Sequence, residues 1–540
     1  VRDVGSARDL DDHIKWAKFS GINWLKDNRG FLYSRYPEPK EDEKLKAALA
    51  NQMLYYHAVG TPQSADKLVY ARPDQPSWFI GGDVTYDGRY LIIYISENTD
   101  PKNRLYYIDL GDPARPNLQN PVVKLIDNND FGYDVIGNDG PVMYVATNNN
   151  AARRKVVAID TRNPAPANWK TLIPEADDVL QNVIIAGNRF FASYLHNAQS
   201  SVRMFALDGR PLGEMALPGI GTLSGLSGKR DSNELFYSFA SFLFPTTVYR
   251  YDVATGRSDV FRRPDVDFDP SLYETRQVFY NSKDGTRVPM FITHKRGLKL
   301  DGTNPTYLYG YGGFNISLTP SFSVPNLVWM EMGGIFAMPN LRGGGEFGKS
   351  WHEAGTKERK QNVFDDFIAA AEYLIREGYT SPARLAIGGG SNGGLLVGAA
   401  MTQRPDLFAV ALPDVGVMDM LRYHKFTVGW AWASDYGSSD DPAAFRYLRA
   451  YSPLHNLKPG ACYPATLVTT ADPDDRVVPG HSFKFAATLQ QAQACDRPTL
   501  IRIETKAGHG AGTPISKVIE QVADKWAFAR YHMGIRPLQP

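Results

Sequence analysis

The chain has 540 residues and a formal net charge of +1, with 43% hydrophobic and 22% charged residues. Single hydrophobic cores stop growing at about 250–300 residues, so we expect more than one domain. The balanced charge, without a basic stripe or a long run of like charge, argues against nucleic-acid binding. Because no apolar segment approaches the ~20 residues that span a bilayer and no signal peptide opens the chain, we expect a soluble protein of the cytoplasm or the periplasm, with no membrane partner.

Cys462 and Cys495 are the only cysteines. Two are too few for a disulfide framework or a four-cysteine metal site, and no His-Glu-x-x-His or clustered cysteine–histidine pattern indicates a metal. We therefore expect buried or idle thiols, and neither a metal nor a cofactor.

The first half of the chain contains a β-rich repeat. Aromatic or apolar runs close with aspartate four times, at Asp109, Asp160, Asp208 and Asp252, and these residues are 51, 48 and 44 positions apart. Residues 54–60 form a similar run one period earlier, without the aspartate. A β-rich period of about 45–50 residues is typical of propeller blades, which are small sheets that bury their faces against their neighbours. We expect about five blades, with an irregular β-sandwich as the alternative.

The repeat stops where residues 264–270 turn rich in proline and aspartate. We place a domain boundary there, with a β-propeller domain over residues 1–265 and a second domain over residues 266–540. In the second domain, short apolar runs alternate with helical segments, which predicts a mostly parallel, doubly wound sheet. The predicted strands are 306–309, 334–338, 408–412, 465–469 and 500–503.

A glycine-flanked serine lies between an apolar strand and a helix. The pattern is Gly389-Gly390-Ser391-Asn392-Gly393, which matches G-x-S-x-G. A serine on such a sharp turn presents its hydroxyl above the sheet, and the following helix aims free N–H groups at the point where an oxyanion would form. The alternative is a glycine-rich turn with a bystander serine.

The segment before this turn has the context that a hydrolase requires. Apolar residues recur at helical spacing over residues 363–375, with Asn362 as the predicted N-cap and Gly378 as the stop. Helix, strand, serine turn and helix therefore follow one another, which favours the reading of Ser391 as a nucleophile.

A serine nucleophile needs a base, and the base needs a carboxylate that fixes its tautomer. In α/β-hydrolases the chain order is serine, acid, histidine. The loop over residues 472–476 follows a predicted strand, but the residues themselves do not choose among its three aspartates. His509 lies in a glycine-rich loop after the last strand and is well placed as the base. Four other histidines follow the serine and are expected to be surface or structural residues: His424, His455, His481 and His532.

A second glycine-rich stretch, over residues 343–348, matches G-x-G-x-x-G and has Asp365 about 20 residues further on, as a dinucleotide site would. Residues 349–353 do not open a convincing amphipathic helix, however, so we do not favour a dinucleotide site.

Five motifs occur in order along the chain. They are Tyr309-Gly310-Tyr311-Gly312-Gly313-Phe314-Asn315, Asn340-Leu341-Arg342-Gly343-Gly344-Gly345-Glu346, Gly389-Gly390-Ser391-Asn392-Gly393-Gly394, Asp474-Asp475-Arg476-Val477-Val478-Pro479 and Gly508-His509-Gly510-Ala511-Gly512. Together they resemble the prolyl oligopeptidase family of serine peptidases, over essentially all of residues 266–540 and, more loosely, over the β-rich half. The resemblance implies an α/β-hydrolase domain beside a seven-bladed propeller.

The resemblance also implies roles for individual residues. Ser391 would be the nucleophile, Asp474 the triad acid and His509 the base. The Tyr311 hydroxyl and the Asn392 backbone N–H would form the oxyanion hole.

A substrate pocket follows from the same resemblance. Trp432 would stack on the proline ring of the substrate, since a flat indole matches a flat, apolar pyrrolidine. Arg476 would donate to a substrate carbonyl. The remaining lining residues would be Phe314, Val417, Tyr436 and Val477.

Two departures from the family pattern stand out. Family members begin with a segment that packs on the catalytic domain and then a seven-bladed propeller, so we expect an N-terminal portion to be absent here. Ser96 stands where well-known relatives carry an arginine that reaches toward the substrate. Phe19 and Ile80 weakly resemble apolar outer-subsite positions.

The sequence thus predicts a serine endopeptidase that cuts short peptides after proline through an acyl-enzyme, with the propeller restricting access to oligopeptides. The expected partners are proline-containing oligopeptides. Alternatives within the family are an oligopeptidase that prefers basic residues and a dipeptidyl peptidase. An alternative from another class is a propeller interaction module on an inactive hydrolase.

Overall fold

The computed structural model describes residues 1–40, 49–510 and 512–535. The chain divides into two compact units. Unit 1 comprises Val1–Ala192, Arg203–Glu214 and Gly228–Asn233, and unit 2 comprises Ser193–Val202, Met215–Ser227 and Glu234–Pro540.

The β-rich half consists of a short hairpin, β1 (Arg2–Asp3) and β2 (Arg8–Asp9), followed by four-stranded sheets in which successive strands are neighbours. Within the described residues there are five such sheets, which confirms the propeller domain with about five blades. Their strands are β3 (Ile22–Trp24), β4 (Gly30–Arg35), β5 (Met53–Ala58) and β6 (Lys67–Tyr70); β7 (Trp78–Val84), β8 (Tyr90–Glu97), β9 (Asn103–Asp109) and β10 (Val123–Ile126); β11 (Tyr133–Asp139), β12 (Val142–Thr147), β13 (Lys155–Asp160) and β14 (Lys170–Ile173); β15 (Val179–Ala186), β16 (Arg189–His196), β17 (Gln199–Ala206) and β18 (Pro211–Glu214); and β19 (Thr222–Gly228), β20 (Glu234–Ala240), β21 (Thr247–Asp252) and β22 (Arg257–Arg262).

The repeated aspartates lie at or just after the end of the third strand in the second to fifth sheets, where the chain turns into the fourth strand. Asp109 and Asp160 each accept the backbone N–H two residues further on at 3.0 Å, which is the Asx geometry that closes a turn. Asp208 and Asp252 do the same. The repeat in the sequence therefore reports a repeated turn.

Sheets of unit 1 bury their faces against the next sheet in the chain. One cluster joins Leu32 and Leu54 of the first sheet to Ile80 and Leu91 of the second. A second cluster joins the second sheet to the third. The first three sheets therefore share their cores with their neighbours, as propeller blades do.

Unit 2 contains an eight-stranded sheet in the order β23-β24-β26-β25-β27-β28-β29-β30. The first three strands in this order pair antiparallel, and the others pair parallel. This is the mostly parallel sheet predicted, with the ends of the five predicted strands shifted by at most two residues. The strands are β23 (Tyr273–Asn281), β24 (Arg287–Lys295), β25 (Thr306–Tyr309), β26 (Ile335–Pro339), β27 (Leu385–Gly390), β28 (Val410–Asp414), β29 (Ala465–Ala471) and β30 (Thr499–Glu504).

The helices of unit 2 alternate with these strands. They are α1 (Val324–Glu331), α2 (Lys349–Glu353), α3 (Gln361–Arg376), α4 (Asn392–Gln403), α5 (Ala433–Tyr436), α6 (Pro442–Tyr451), α7 (Gly480–Ala492) and α8 (Ile515–His532). Among the helices described, none is both long and apolar enough to cross a membrane.

The helix predicted over residues 363–375 is α3, but its predicted N-cap is wrong. The N-cap residue is Lys360, and Asn362 lies in the first turn with its amide donating to the Ala354 carbonyl at 2.9 Å. The capping rule fails here because a tertiary contact outside the helix takes the side chain of Asn362.

The expectation of idle thiols is also wrong, because Cys462 and Cys495 form a disulfide. A parallel bridge between Ala461 and Gln493 aligns the two segments and brings the cysteine Cα atoms to 5.3 Å, within disulfide range. The two cysteines are 33 residues apart in the chain, so their pairing depended on tertiary structure.

Candidate active site

The predicted catalytic residues follow different strands of the unit 2 sheet. Tyr311 follows β25, Ser391 follows β27, Asp474 follows β29 and His509 follows β30. These strands run parallel, so their carboxyl ends share one edge of the sheet, which is where ligands bind in open α/β sheets. The topology therefore collects these residues at one edge.

Ser391 occupies the sharp turn between β27 and α4. Its backbone is in the left-handed region, with φ 57° and ψ −116°, which is costly for a residue other than glycine. Its N–H donates to the Asp414 carbonyl at 2.9 Å. A Cβ on Gly389 would lie 2.5 Å from the Gly393 carbonyl oxygen, so the turn needs glycine there.

Asp474 is fully buried and holds His509. Its Oδ2 lies 2.7 Å from His509 Nδ1, while its Oδ1 accepts the N–H groups of Arg476 and Val477, each at 2.9 Å. The backbone thus fixes one carboxylate oxygen and leaves the other for the imidazole. Asp472 instead is exposed and accepts the Lys506 N–H at 3.3 Å. Among the three aspartates of the loop, the structure brings Asp474 to His509.

The other histidines after Ser391 have different partners. Burial lowers the pKa of His481 to about 4, and its Nδ1 accepts the Asp419 N–H at 3.1 Å. His424 Nε2 lies 3.1 Å from Asp440, and His455 Nδ1 lies 2.8 Å from Ser452 Oγ. His532 is on α8, as expected.

Tyr311 and Asn392 are coupled to each other. Burial raises the pKa of Tyr311 to about 12, so its phenol stays protonated at neutral pH and can donate a hydrogen bond. Asn392 is the first residue of α4, where a backbone N–H has no intrahelical acceptor. The Asn392 Nδ2 donates to the Tyr311 carbonyl at 2.6 Å. This hydrogen bond ties the backbone of Tyr311 to the residue that directly follows Ser391.

Three of the residues predicted to form the substrate pocket, Trp432, Tyr436 and Phe314, belong to one series of aromatic contacts in unit 2 that also includes Tyr423. The Trp432 indole stacks on the Tyr423 ring at 6.0 Å with an interplanar angle of 12°. Tyr436 meets Phe314 edge-on, with ring centroids 5.3 Å apart. Val417 and Val477 are buried, whereas Arg476 is exposed.

Sequence reasoning missed three buried polar residues beside this pocket: His352, Lys360 and Asp435. Asp435 Oδ2 accepts the Phe314 N–H at 2.7 Å, and its Oδ1 lies 2.8 Å from His352 Nε2. Phe314 needs this support because its φ is +57°. The only signal in the sequence was the position of Asp435 between Trp432 and Tyr436.

The glycine-rich stretch 343–348 leads into α2, which has five residues, and the long helix begins only at Gln361. The strand-to-long-helix geometry of a dinucleotide site is therefore missing at this stretch.

Ser96 lies on β8 of unit 1 and pairs with Phe79. Ile80 belongs to the core of unit 1, whereas Phe19 is 45% exposed. Ala511 of the last motif lies outside the described residues.

Family models match both halves of the chain. The model described as the prolyl oligopeptidase N-terminal β-propeller domain matches residues 1–264, and the model of the prolyl oligopeptidase family matches residues 320–536. A prolyl endopeptidase of Elizabethkingia meningoseptica is 48% identical over 100% of this chain and 75% of its own length. A prolyl endopeptidase of Dictyostelium discoideum is 41% identical over 96% of this chain and 71% of its own length.

Solved structures are similar over almost the whole chain. One, from a study of two prolyl endopeptidases, superposes with a TM-score of 0.93 at 41% identity and covers 99% of this chain and 78% of its own. Prolyl oligopeptidase B from Galerina marginata, bound to a 35-residue substrate, also has a TM-score of 0.93, at 40% identity over 98% of this chain and 74% of its own.

Proposed function

The chain belongs to the prolyl oligopeptidase family, and from that membership we propose that Ser391, Asp474 and His509 are its catalytic triad. The identity to named relatives makes the chain a serine prolyl endopeptidase. The observation that supports the triad most strongly is Asp474, which is buried, held by two backbone N–H groups and 2.7 Å from His509 Nδ1.

Each residue of the triad has one step in the proposed mechanism. His509 takes the proton of the Ser391 hydroxyl as the serine oxygen attacks the carbonyl carbon of the substrate proline, and Asp474 keeps the imidazole in the tautomer that accepts this proton. His509 then gives the proton to the leaving amine, which produces the acyl-enzyme. Water, activated by the same histidine, hydrolyses the ester and regenerates Ser391.

The negative charge of the tetrahedral intermediate needs donors that are already in place. We assign this role to the Tyr311 hydroxyl and the Asn392 backbone N–H. The raised pKa of Tyr311, about 12, keeps its proton available, and the N-terminus of α4 adds the favourable end of its dipole.

Labelling with a fluorophosphonate probe tests the nucleophile, because only an activated serine reacts with it. The wild-type protein should be labelled at Ser391, and Ser391→Ala should lose labelling and nearly all turnover. Ser350→Ala, an exposed serine on α2, should be labelled as the wild type is. An unlabelled wild-type protein would instead support the inactive hydrolase with a propeller interaction module.

We assign specificity for proline to Trp432. Arg476 would donate a hydrogen bond to a substrate carbonyl, and the pocket around Trp432 would be lined by Phe314, Val417, Tyr436 and Val477. The stacking of Tyr423 on Trp432 supports this assignment, because it fixes the plane that a flat pyrrolidine ring would meet.

Trp432→Ala should weaken selection for proline over alanine by roughly 1–3 kcal/mol, the range in which an apolar pocket discriminates. The measurement is kcat/KM on fluorogenic peptides that differ only at the residue before the cut. Trp24→Ala, a half-exposed tryptophan on β3, is the control and should leave the ratio unchanged. An unaltered ratio in Trp432→Ala would place the pocket elsewhere.

We retain the domain boundary between residues 265 and 266, which the two family matches support.

The restriction of access to oligopeptides by the propeller stays a prediction. It is tested by comparing cleavage of a proline-containing peptide with cleavage of the same sequence inside a folded protein.

We infer an oxidising compartment such as the periplasm, because disulfides persist in oxidising environments and Cys462 pairs with Cys495. Thiol alkylation of the protein as isolated from its cells tests this inference. Two alkylated cysteines would argue for the cytoplasm.

A further inference from the structure

A buried lysine lies at the start of α3. Lys360 is 1% exposed and is the N-cap residue of this helix, where the helix dipole disfavours a cation. Burial lowers the pKa of Lys360 to about 8, and the nearby Asp435 opposes this effect. At neutral pH the side chain is therefore an ammonium with three donors to satisfy. A lysine in such an unfavourable place needs specific partners.

The partners of Lys360 belong to two different segments. Its Nζ donates to the Gly312 carbonyl at 2.7 Å and to Asn392 Oδ1 at 3.1 Å, and it lies 5.4 Å from the centre of the Tyr436 ring. Gly312 directly follows Tyr311, and Asn392 directly follows Ser391. One ammonium group therefore bridges the two segments that carry the proposed oxyanion donors.

The Asn392 side chain completes the bridge. Its Oδ1 also accepts from the Tyr436 hydroxyl at 2.8 Å, and its Nδ2 donates to the Tyr311 carbonyl at 2.6 Å. The amide is therefore held in one orientation by two donors on one side and one acceptor on the other. Neither contact occupies the Asn392 backbone N–H or the Tyr311 hydroxyl, which stay available for substrate.

The loop that carries Tyr311 has an unusual backbone conformation. Gly312 has φ +65°, and a Cβ there would lie 2.3 Å from a Val363 methyl group. Phe314 and Asn315 also have positive φ values, of 57° and 56°. Because such conformations persist only when their surroundings impose them, this loop depends on contacts from outside it. Lys360 supplies one of these contacts, to the Gly312 carbonyl.

We propose that Lys360 is a positioning residue for the oxyanion hole, which it assembles by tying the Gly312 carbonyl to the Asn392 side chain. This inference rests on the proposed roles of Tyr311 and Asn392. Lys360 itself does not touch the reacting atoms. Its loss should therefore weaken binding of the tetrahedral state more than binding of the substrate ground state.

The test compares two peptide inhibitors that differ in one functional group, an aldehyde in one and an alcohol in the other. A peptide ending in prolinal is attacked by Ser391: the serine oxygen bonds to the aldehyde carbon, the serine proton moves to His509 and the aldehyde oxygen becomes an oxyanion. The matched peptide ending in prolinol fills the same pocket but has no carbonyl, so it needs no oxyanion hole. The ratio of the two inhibition constants reports the hole alone.

Lys360→Met keeps the length of the side chain and removes its donors. The inhibition constant of the aldehyde should rise about 10–100-fold, since a misplacement of about 1 Å costs up to 10²-fold, and that of the alcohol should change less than about threefold. kcat should fall with little change in KM. Leu374→Ala, a buried leucine on the same helix, is the matched control for destabilisation and should keep the wild-type ratio of the two constants.

An unchanged ratio in Lys360→Met would overturn the inference, whether the two inhibition constants stay as in the wild type or rise by the same factor. An equal rise would indicate general damage to the pocket. A wild-type protein that does not prefer the aldehyde would instead refute the proposed function. Where Lys360→Met does not fold, Lys360→Gln decides, because its amide removes the charge of the buried ammonium and part of its donor capacity but keeps a polar group at this position. This variant should raise the inhibition constant of the aldehyde about 3–10-fold and leave that of the alcohol unchanged.

Discussion

The roles of single residues in this protein depend on which hydrogen bonds their side chains make. Asp474 and Asp475 are neighbours with the same side chain, but Asp474 Oδ2 lies 2.7 Å from His509 Nδ1. His509 can be oriented only by the carboxylate that reaches its Nδ1, so the two aspartates should behave differently.

Asp474→Asn should lower kcat by roughly 10³–10⁴-fold, because an amide cannot fix the imidazole tautomer that accepts the serine proton. Asp475→Asn is the matched control and should stay within a few fold of the wild type. Steady-state kinetics on one proline peptide measures both. Similar losses in the two variants would remove Asp474 from the triad.

Glu346 is a buried acid of a different kind. Its Oε1 accepts the Leu318 N–H at 2.8 Å, whereas its Oε2 is buried without a partner among the described residues. Burial raises the pKa of Glu346 from 4.5 to about 7. The folded state therefore holds this proton at pH values where the unfolded state has lost it, and stability falls as pH rises from about 4.5 to 7.

Glu346→Gln should remove this loss. Between pH 4.5 and pH 8, the free energy of unfolding of the variant should rise relative to that of the wild type by on the order of 3 kcal/mol. This figure follows from the difference between the unfolded pKa of 4.5 and the folded pKa of about 7. Urea unfolding of unit 2 across this range measures the difference. Glu377→Gln, at an exposed glutamate, should show an offset that does not vary with pH. A pH-independent offset for Glu346→Gln as well would contradict the buried-acid interpretation.

At the scale of elements, carboxylates close the turns of the β-rich sheets. Each aspartate-ended strand closes its own turn with a carboxylate. The first sheet lacks that aspartate, and the Gly60 N–H donates instead to Asp12 Oδ1 at 2.5 Å. A residue from the N-terminal segment therefore takes the place of the missing turn aspartate.

The disulfide acts on the element that carries the acid. The covalent loop between Cys462 and Cys495 contains β29, Asp474 and α7. Closing a loop of this length restricts the unfolded chain by roughly 3–4 kcal/mol in the chain-entropy model. The cross-link should therefore stabilise unit 2 in particular.

Reduction should lower the urea midpoint of unit 2 without changing that of unit 1. The double variant Cys462→Ala, Cys495→Ala should show the lower midpoint from the start and should not respond to reductant. If reduction left the wild-type midpoint unchanged, the disulfide would contribute nothing to stability.

At the scale of the whole molecule, the chain has two compact units that each have their own buried residues. Multidomain proteins commonly unfold in more than one step. We expect two calorimetric transitions, one for each unit.

Leu54→Ala and Leu374→Ala form a matched pair, since each removes a fully buried leucine from one unit. Each substitution should lower the free energy of unfolding of its own unit by about 2–5 kcal/mol. It should lower the transition temperature of that unit only. A single transition that both variants lower would show that the chain unfolds as one cooperative body.

The sequence by itself determined the features that depend on short stretches of backbone. The Ser391 turn was readable because only glycine tolerates the close approach at Gly389, and the blade period was readable because an aspartate closes the same turn in four sheets. The alternation of strands and helices predicted the parallel sheet for the same reason, since each element is local.

Tertiary structure alone decided the contacts between distant segments. It brought Asp474 to His509, a pairing that the residues of the loop left open and only the family resemblance named. It also joined Cys462 to Cys495 and brought Lys360 to the Gly312 carbonyl, 48 residues away in sequence. Local patterns carry no information on such pairings, because a carboxylate, a thiol or an ammonium has the same sequence signature whether it is exposed or buried. Their roles follow from burial, which forces each polar group to find a partner wherever the fold supplies one.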